Sequence, residues 1–152
     1  KLISFLDKNF KSKIIITTHY KLKDRLEKFI SSIKTNKIYF LKPFGFFDYS
    51  KLLINSRLVL SDSGTLNEEA SIMGFRAVNL RETHERPEAD EEAVTELTGL
   101  DIDIISEIIY QKKNYKKNKI VKDYDVDNFS QKVSRIIGGH INKIHRDVWK
   151  KI

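Results

Sequence analysis

Short runs of consecutive apolar residues alternate with segments whose apolar residues recur every three or four positions, and this alternation restricts the fold more than any other feature. Leu2, Ile3, Leu6 and Phe10 have helical spacing; Ile14-Ile15-Ile16-Thr17-Thr18 is a β-branched run of the kind found in strands covered on both faces. Leu22, Leu26, Phe29, Ile30 and Ile33 return to helical spacing over residues 20–33. Ile38–Leu41 reads as the next strand, closed by Pro43 and Gly45, and Asp48–Ser56 as a short helix. Leu58–Leu60 is a third strand, and the polar turn Ser61-Asp62-Ser63-Gly64-Thr65 leads into a helix that runs to Met73 with Gly74 as its stop. Arg76–Leu80 and Val94–Thr98 complete the strands, the last as an edge. Helices are expected at Ile102–Gln111 and Asp127–Ile137, with Gly138-Gly139 as a break before a terminal helix over residues 138–152. The solvated, lysine-rich stretch Lys112–Lys119 reads as a loop. Repeated β–α alternation with short connections predicts an α/β fold, a Rossmann-like three-layer arrangement of a parallel sheet between helices.

At 152 residues the chain fits one domain. It has no cysteine, which excludes disulfides and thiolate metal sites and makes the cytoplasm the expected compartment. No apolar run approaches the roughly 20 residues of a membrane-spanning helix. The net charge of +7 is spread over four lysine-bearing segments, with no nucleic-acid recognition motif, so neither nucleic acid nor membrane is an expected partner. His19, His84, His140 and His145 lack metal-ligand spacing, and no metal is expected. The chain begins at Lys1, which suggests a piece of a longer protein.

In open parallel sheets, ligands sit beyond the carboxyl ends of strands, at helix starts. The turn after Leu60 has that position. Ser63, Gly64 and Thr65 are expected at the start of a helix, where up to four backbone N–H groups lack internal partners and the helix dipole favours an anion by roughly 0.3–1 kcal/mol. The alternative is plain capping by Asp62 or Ser63. Glu69, about one and a half helical turns further in, can accept from two sugar hydroxyls. After the fourth strand comes Arg81-Glu82-Thr83-His84-Glu85-Arg86-Pro87-Glu88; Arg86, stiffened by Pro87, is either a phosphate clamp or one member of a surface ion-pair loop.

Taken together, Ser61-Asp62-Ser63-Gly64 with Glu68-Glu69, and Arg81 with Glu85-Arg86-Pro87-Glu88, resemble the paired motifs of the non-hydrolysing UDP-N-acetylglucosamine 2-epimerases. The likeness runs from about Ile14 to Asp101 and, more weakly, to Trp149. Lys42–Tyr49 and the ending at Val148-Trp149 are most similar to the subgroup acting on 2,6-dideoxy-L-sugars, which makes UDP-N-acetyl-L-fucosamine for bacterial surface polysaccharides. The resemblance implies one half of a GT-B-type two-domain enzyme: residues 1–152 as a C-terminal UDP-binding domain, without its first strand and without the N-terminal domain that would be its partner. By this likeness Ser63, Gly64 and Thr65 hold the diphosphate, Glu69 the ribose, Arg86 the phosphate or the order of the site, and Phe44 and Tyr49 shape the uracil pocket. His19 matches a cleft-facing histidine, or is a surface residue at a strand end; the acid–base groups are expected on the other domain. The implied reaction inverts C2 of a UDP-HexNAc by UDP elimination and re-addition, with no cofactor, in a family that often forms homodimers, chiefly through the other domain. Departures from the pattern are Thr65 for a second glycine, Glu82 for an aspartate, His84 for a frequent threonine, and acidic Asp90-Glu91-Glu92 for a glycine-rich stretch. Rival readings are the donor-nucleotide domain of a GT-B glycosyltransferase, a hydrolysing epimerase, and a non-catalytic nucleotide-binding domain.

Overall fold

The computed structural model describes residues 1–17, 35–111 and 120–150. Helix α1 (Leu2–Asn9) leads into β1 (Ile14–Thr17), which pairs in parallel with β2 (Ile38–Leu41), Ile14 opposite Ile38 and Thr17 opposite Leu41. Then follow α2 (Phe46–Ile54), β3 (Val59–Ser61), α3 (Leu66–Met73), β4 (Ala77–Asn79), the short α4 (Pro87–Glu91), β5 (Thr95–Leu97), α5 (Ile102–Tyr110) and α6 (Phe129–Asp147). Strands β3, β4 and β5 form a second parallel ladder with β4 in the middle. Parallel pairing obliges each strand to return through a crossover, and α3 and α4 make those returns.

Burial explains which strand is central. Ala77, Val78 and Asn79 of β4 are all buried, as a strand covered on both faces must be, whereas β1 and β2 alternate half-buried and exposed residues. The core accordingly gathers around β4: Leu53 from α2, Leu66 and Ala70 from α3, Phe75, Ala77, Ala89, Val94 and Val121. Among the described residues the strands form two ladders rather than one continuous sheet.

Helix ends follow their local chemistry. Gly74 adopts the left-handed conformation (φ 71°, ψ 41°) that ends α3, in the role expected of it. The Asp101 carboxylate accepts the Asp103 and Ile104 N–H groups at 2.9 and 3.1 Å, capping α5. Three boundaries differ from the sequence reading. Helix α2 starts at Phe46, two residues before Asp48, with Gly45 as its cap. Helix α4 was not anticipated; Pro87 at its first position, with Glu88 and Asp90 in its first turn, is the signal that marks it. The expected break at Gly138-Gly139, and with it a separate terminal helix over 138–152, is corrected: α6 runs unbroken from Phe129 to Asp147. Each helical glycine costs about 1 kcal/mol relative to alanine, a weakening rather than a break, and Val133, Ile136, Ile137, Ile141 and Ile144 keep one helical period across the pair. The helix expected over 20–33, Thr18, His19 and the loop Lys112–Lys119 lie outside the described residues.

Candidate functional site

The carboxyl ends of β3 and β4 are adjacent in register, Ser61 beside Asn79, so the turn after Ser61 and the loop after Leu80 share one rim. The Ser61 hydroxyl accepts the Ser63 N–H at 3.1 Å and tightens the turn. Thr65 is the cap position of α3, and no side chain caps the helix there. Ser63 and Gly64 thus precede the helix instead of lying in it, and the front of α3 faces the rim with its first-turn N–H groups uncapped by side chains.

A hydroxyl relay crosses this opening. Thr65 donates its Oγ1 proton to Glu69 Oε1 at 2.6 Å, and the Ser63 and Thr65 hydroxyl oxygens lie 3.1 Å apart. With the Thr65 proton committed to Glu69, the Ser63 hydroxyl donates to Thr65. The relay leaves Glu69 Oε2 buried and, among the described residues, without a hydrogen-bond partner; Glu68 Oε2 is in the same condition. A buried acceptor left unpaired costs about 1–3 kcal/mol. Tyr49, on α2, closes this side: burial first, then the charge of Glu69, pushes its phenol above the ordinary tyrosine range.

Two arginines come from the loop after β4. Arg86 donates through Nε to Glu68 Oε1 and through Nη1 to the Glu85 carbonyl at 3.1 Å. The hydrogen bond to Glu68 is the first cause of a guanidinium pKa raised above the ordinary value. Arg86 therefore reaches the start of α3, but braced against a carboxylate of its first turn instead of standing free. The sequence reading gave Arg81 no role. Its main-chain N–H is fixed by Asn79 Oδ1 at 3.1 Å, and its guanidinium stands over Gly64, where an added β-carbon would lie 3.7 Å from Nη1. Among the described residues it makes one ion pair, the long, exposed one to Glu85 at 3.8 Å. A position directly beyond a central strand, beside a glycine turn on the neighbouring strand, is the signal that singles it out. Beyond Pro87, Glu88 accepts the Tyr124 hydroxyl at 2.8 Å, tying α4 to the core.

The structure thus brings together Ser63, Gly64, Thr65, Glu69, Tyr49 and Arg86. Phe44 is half-buried in the segment ahead of α2 and takes part in none of these contacts. His19 falls outside the described residues. Among the described residues no cluster of three His, Cys, Asp or Glu side chains could hold a metal ion, and no helix is long and apolar enough to cross a membrane.

Parallel strands between helices, with a glycine turn opening at their carboxyl ends, define a Rossmann-like α/β domain of the GT-B type. The chain belongs to the UDP-N-acetylglucosamine 2-epimerase family, whose model matches residues 1–138. The UDP-N-acetylglucosamine 2-epimerase of Methanocaldococcus jannaschii is 34% identical over 110 residues, 68% of this chain and 30% of that protein. Among solved structures, the UDP-N-acetylglucosamine 2-epimerase from Rickettsia bellii superposes with a TM-score of 0.79 at 36% identity, covering 99% of this chain and 42% of that one. The M. jannaschii enzyme in complex with UDP-GlcNAc and UDP gives 0.69 at 28% identity, covering 90% and 38%. The chain therefore spans well under half the length of these relatives.

Proposed function

We propose that this chain is the UDP-holding, C-terminal domain of a UDP-HexNAc 2-epimerase of the cytoplasm, serving bacterial surface polysaccharide synthesis. In this reading the diphosphate lies across Ser63, Gly64 and Thr65 against the front of α3, between the turn and Arg81. Glu69 Oε2 accepts a ribose hydroxyl, Tyr49 and Phe44 line the base side, and Arg86 orders the site by holding Glu68. The observation that carries the reading is the buried, unpartnered Glu69 Oε2 beside an uncapped helix start. The M. jannaschii structure solved with UDP-GlcNAc and UDP adds to it.

The chemistry is the one that the family resemblance implies. A base removes the C2 proton, the C1–O bond breaks, and UDP leaves with the bonding pair; reprotonation from the other face and re-addition of UDP invert C2. Negative charge grows on the departing diphosphate, and the α3 amides with the arginines stabilise it without reorganising. Glu68 and Glu69 do not serve as the acid–base pair, because neighbours on a helix diverge by about 100° and Glu68 is bound to Arg86. Those groups are assigned to an N-terminal domain.

The test is solvent-deuterium incorporation at C2 of UDP-GlcNAc, with UDP binding by calorimetry. The 152-residue chain is expected to bind UDP and exchange nothing; the protein joined to an N-terminal domain is expected to exchange. Epimerisation by the 152-residue chain alone, or acceptor-dependent UDP release by the joined protein, contradicts the proposal.

A further inference from the structure

Two of the positions at which this chain departs from its family's motif, His84 and Asp90, face each other. His84 Nε2 lies 2.9 Å from Asp90 Oδ1, and the imidazole is only 3% exposed. On its other side Nδ1 lies 3.1 Å from the backbone N of Arg86 and 3.4 Å from Asn67 Nδ2. The orientation of Asn67 is fixed in turn: its Oδ1 accepts the Thr95 hydroxyl at 2.6 Å, which turns the amide nitrogen toward the ring. Asn67, Thr95 and the ring form a closed polar cluster under the loop, and Asn67 is the second residue of α3.

This arrangement determines the ring's protons. Nδ1 faces two donors, the Arg86 N–H and the Asn67 amide, so it carries a lone pair; Nε2 carries the hydrogen and donates it to Asp90. The ring thereby joins α4, through Asp90, to the main chain of Arg86 and to the front of α3, through Asn67. Arg86 in turn braces Glu68. We infer that His84 is a positioning residue for the nucleotide site: its neutral ring holds the Arg86 main chain so that the guanidinium meets Glu68 at the start of α3. The inference rests on the UDP-binding reading of that site.

The charged groups around the ring are Asp90 and Glu88 on α4 and Arg86 on the loop, with Glu68 of α3 beyond Arg86; from α3 the ring meets the neutral Asn67, which Thr95 of β5 orients.

The test uses the 152-residue chain, His84→Ala and His84→Asn. An asparagine oxygen can accept the N–H two residues on, as the Nδ1 lone pair does. In the ligand-free protein the Arg86 amide is expected to be protected from hydrogen exchange in the unaltered chain and in His84→Asn, and unprotected in His84→Ala. UDP-GlcNAc is the binding probe, because its diphosphate has no terminal phosphate titrating near pH 6. Its affinity is expected to fall about fivefold in His84→Ala, one net hydrogen bond, and to return to within twofold in His84→Asn. Unchanged Arg86 protection or unchanged UDP-GlcNAc affinity in His84→Ala overturns the inference. An unaltered chain that binds no UDP-GlcNAc refutes the nucleotide site instead, and the amide protection still decides whether His84 holds Arg86.

Discussion

Replacing Gly64 by alanine separates what the turn does for the fold from what it does for a ligand. Gly64 does not lie in the left-handed region, and a β-carbon there meets Arg81 Nη1 at 3.7 Å, an ordinary van der Waals distance. The fold therefore accepts the methyl group. Because alanine narrows the unfolded ensemble at no native cost, stability is expected to rise by about 0.4–1 kcal/mol, or roughly 1–4 °C in Tm for a chain of this size. The methyl group, however, projects into the gap between the turn and the Arg81 guanidinium, where the diphosphate is placed. Losing one hydrogen bond to a charged oxygen costs about 1.5–3 kcal/mol, which is about 10- to 150-fold in affinity. Scanning calorimetry and titration calorimetry with UDP measure the two effects on one sample. A variant that melts no lower and binds UDP as tightly as the unaltered chain refutes the placement of the diphosphate.

Two further outcomes concern the frame. Leu66, fully buried at the first position of α3, is expected to cost about 2–5 kcal/mol on replacement by alanine, read by urea denaturation; a loss below 1 kcal/mol contradicts a core anchored at the site. The Glu88 carboxyl is held below the ordinary glutamate range by a backbone hydrogen bond first and by the Tyr124 hydroxyl next. A lowered folded-state pKa means that its stabilisation is present above the unfolded value and is lost as pH falls through the folded one. Tyr124→Phe is expected to move the Glu88 titration upward in NMR and to shrink the acid-side loss of stability; an unmoved titration removes the link between α4 and Tyr124.

Much of the frame was legible because its signals are local. A β-branched run such as Ile14–Thr17 and a stop such as Gly74 carry their conformational preference in their own chemistry. The turn at Ser63–Thr65 was legible for the same reason, since a strand end, a glycine and hydroxyls lie within five residues. What was missed depends on weighing or on partners. The Gly138-Gly139 pair was read as a break because glycine disfavours helix, yet the isoleucine period on both sides outweighs it. Arg81 and His84 were quoted only as letters of a motif: their roles follow from Gly64 on a neighbouring strand and from Asn67, Asp90 and Thr95 on three other elements. The bracing of Arg86 by Glu68 was hidden in the same way, across 18 residues of sequence.

The central claim is that backbone amides at the front of α3 meet a diphosphate. Amide chemical shifts recorded while UDP is titrated into the isotope-labelled chain test it most directly. The largest saturating changes are expected at Gly64, Thr65 and Leu66, with smaller ones at Glu69 and at the Arg81 side chain. Saturating changes confined to other parts of the chain, with the 63–69 amides unmoved, contradict it.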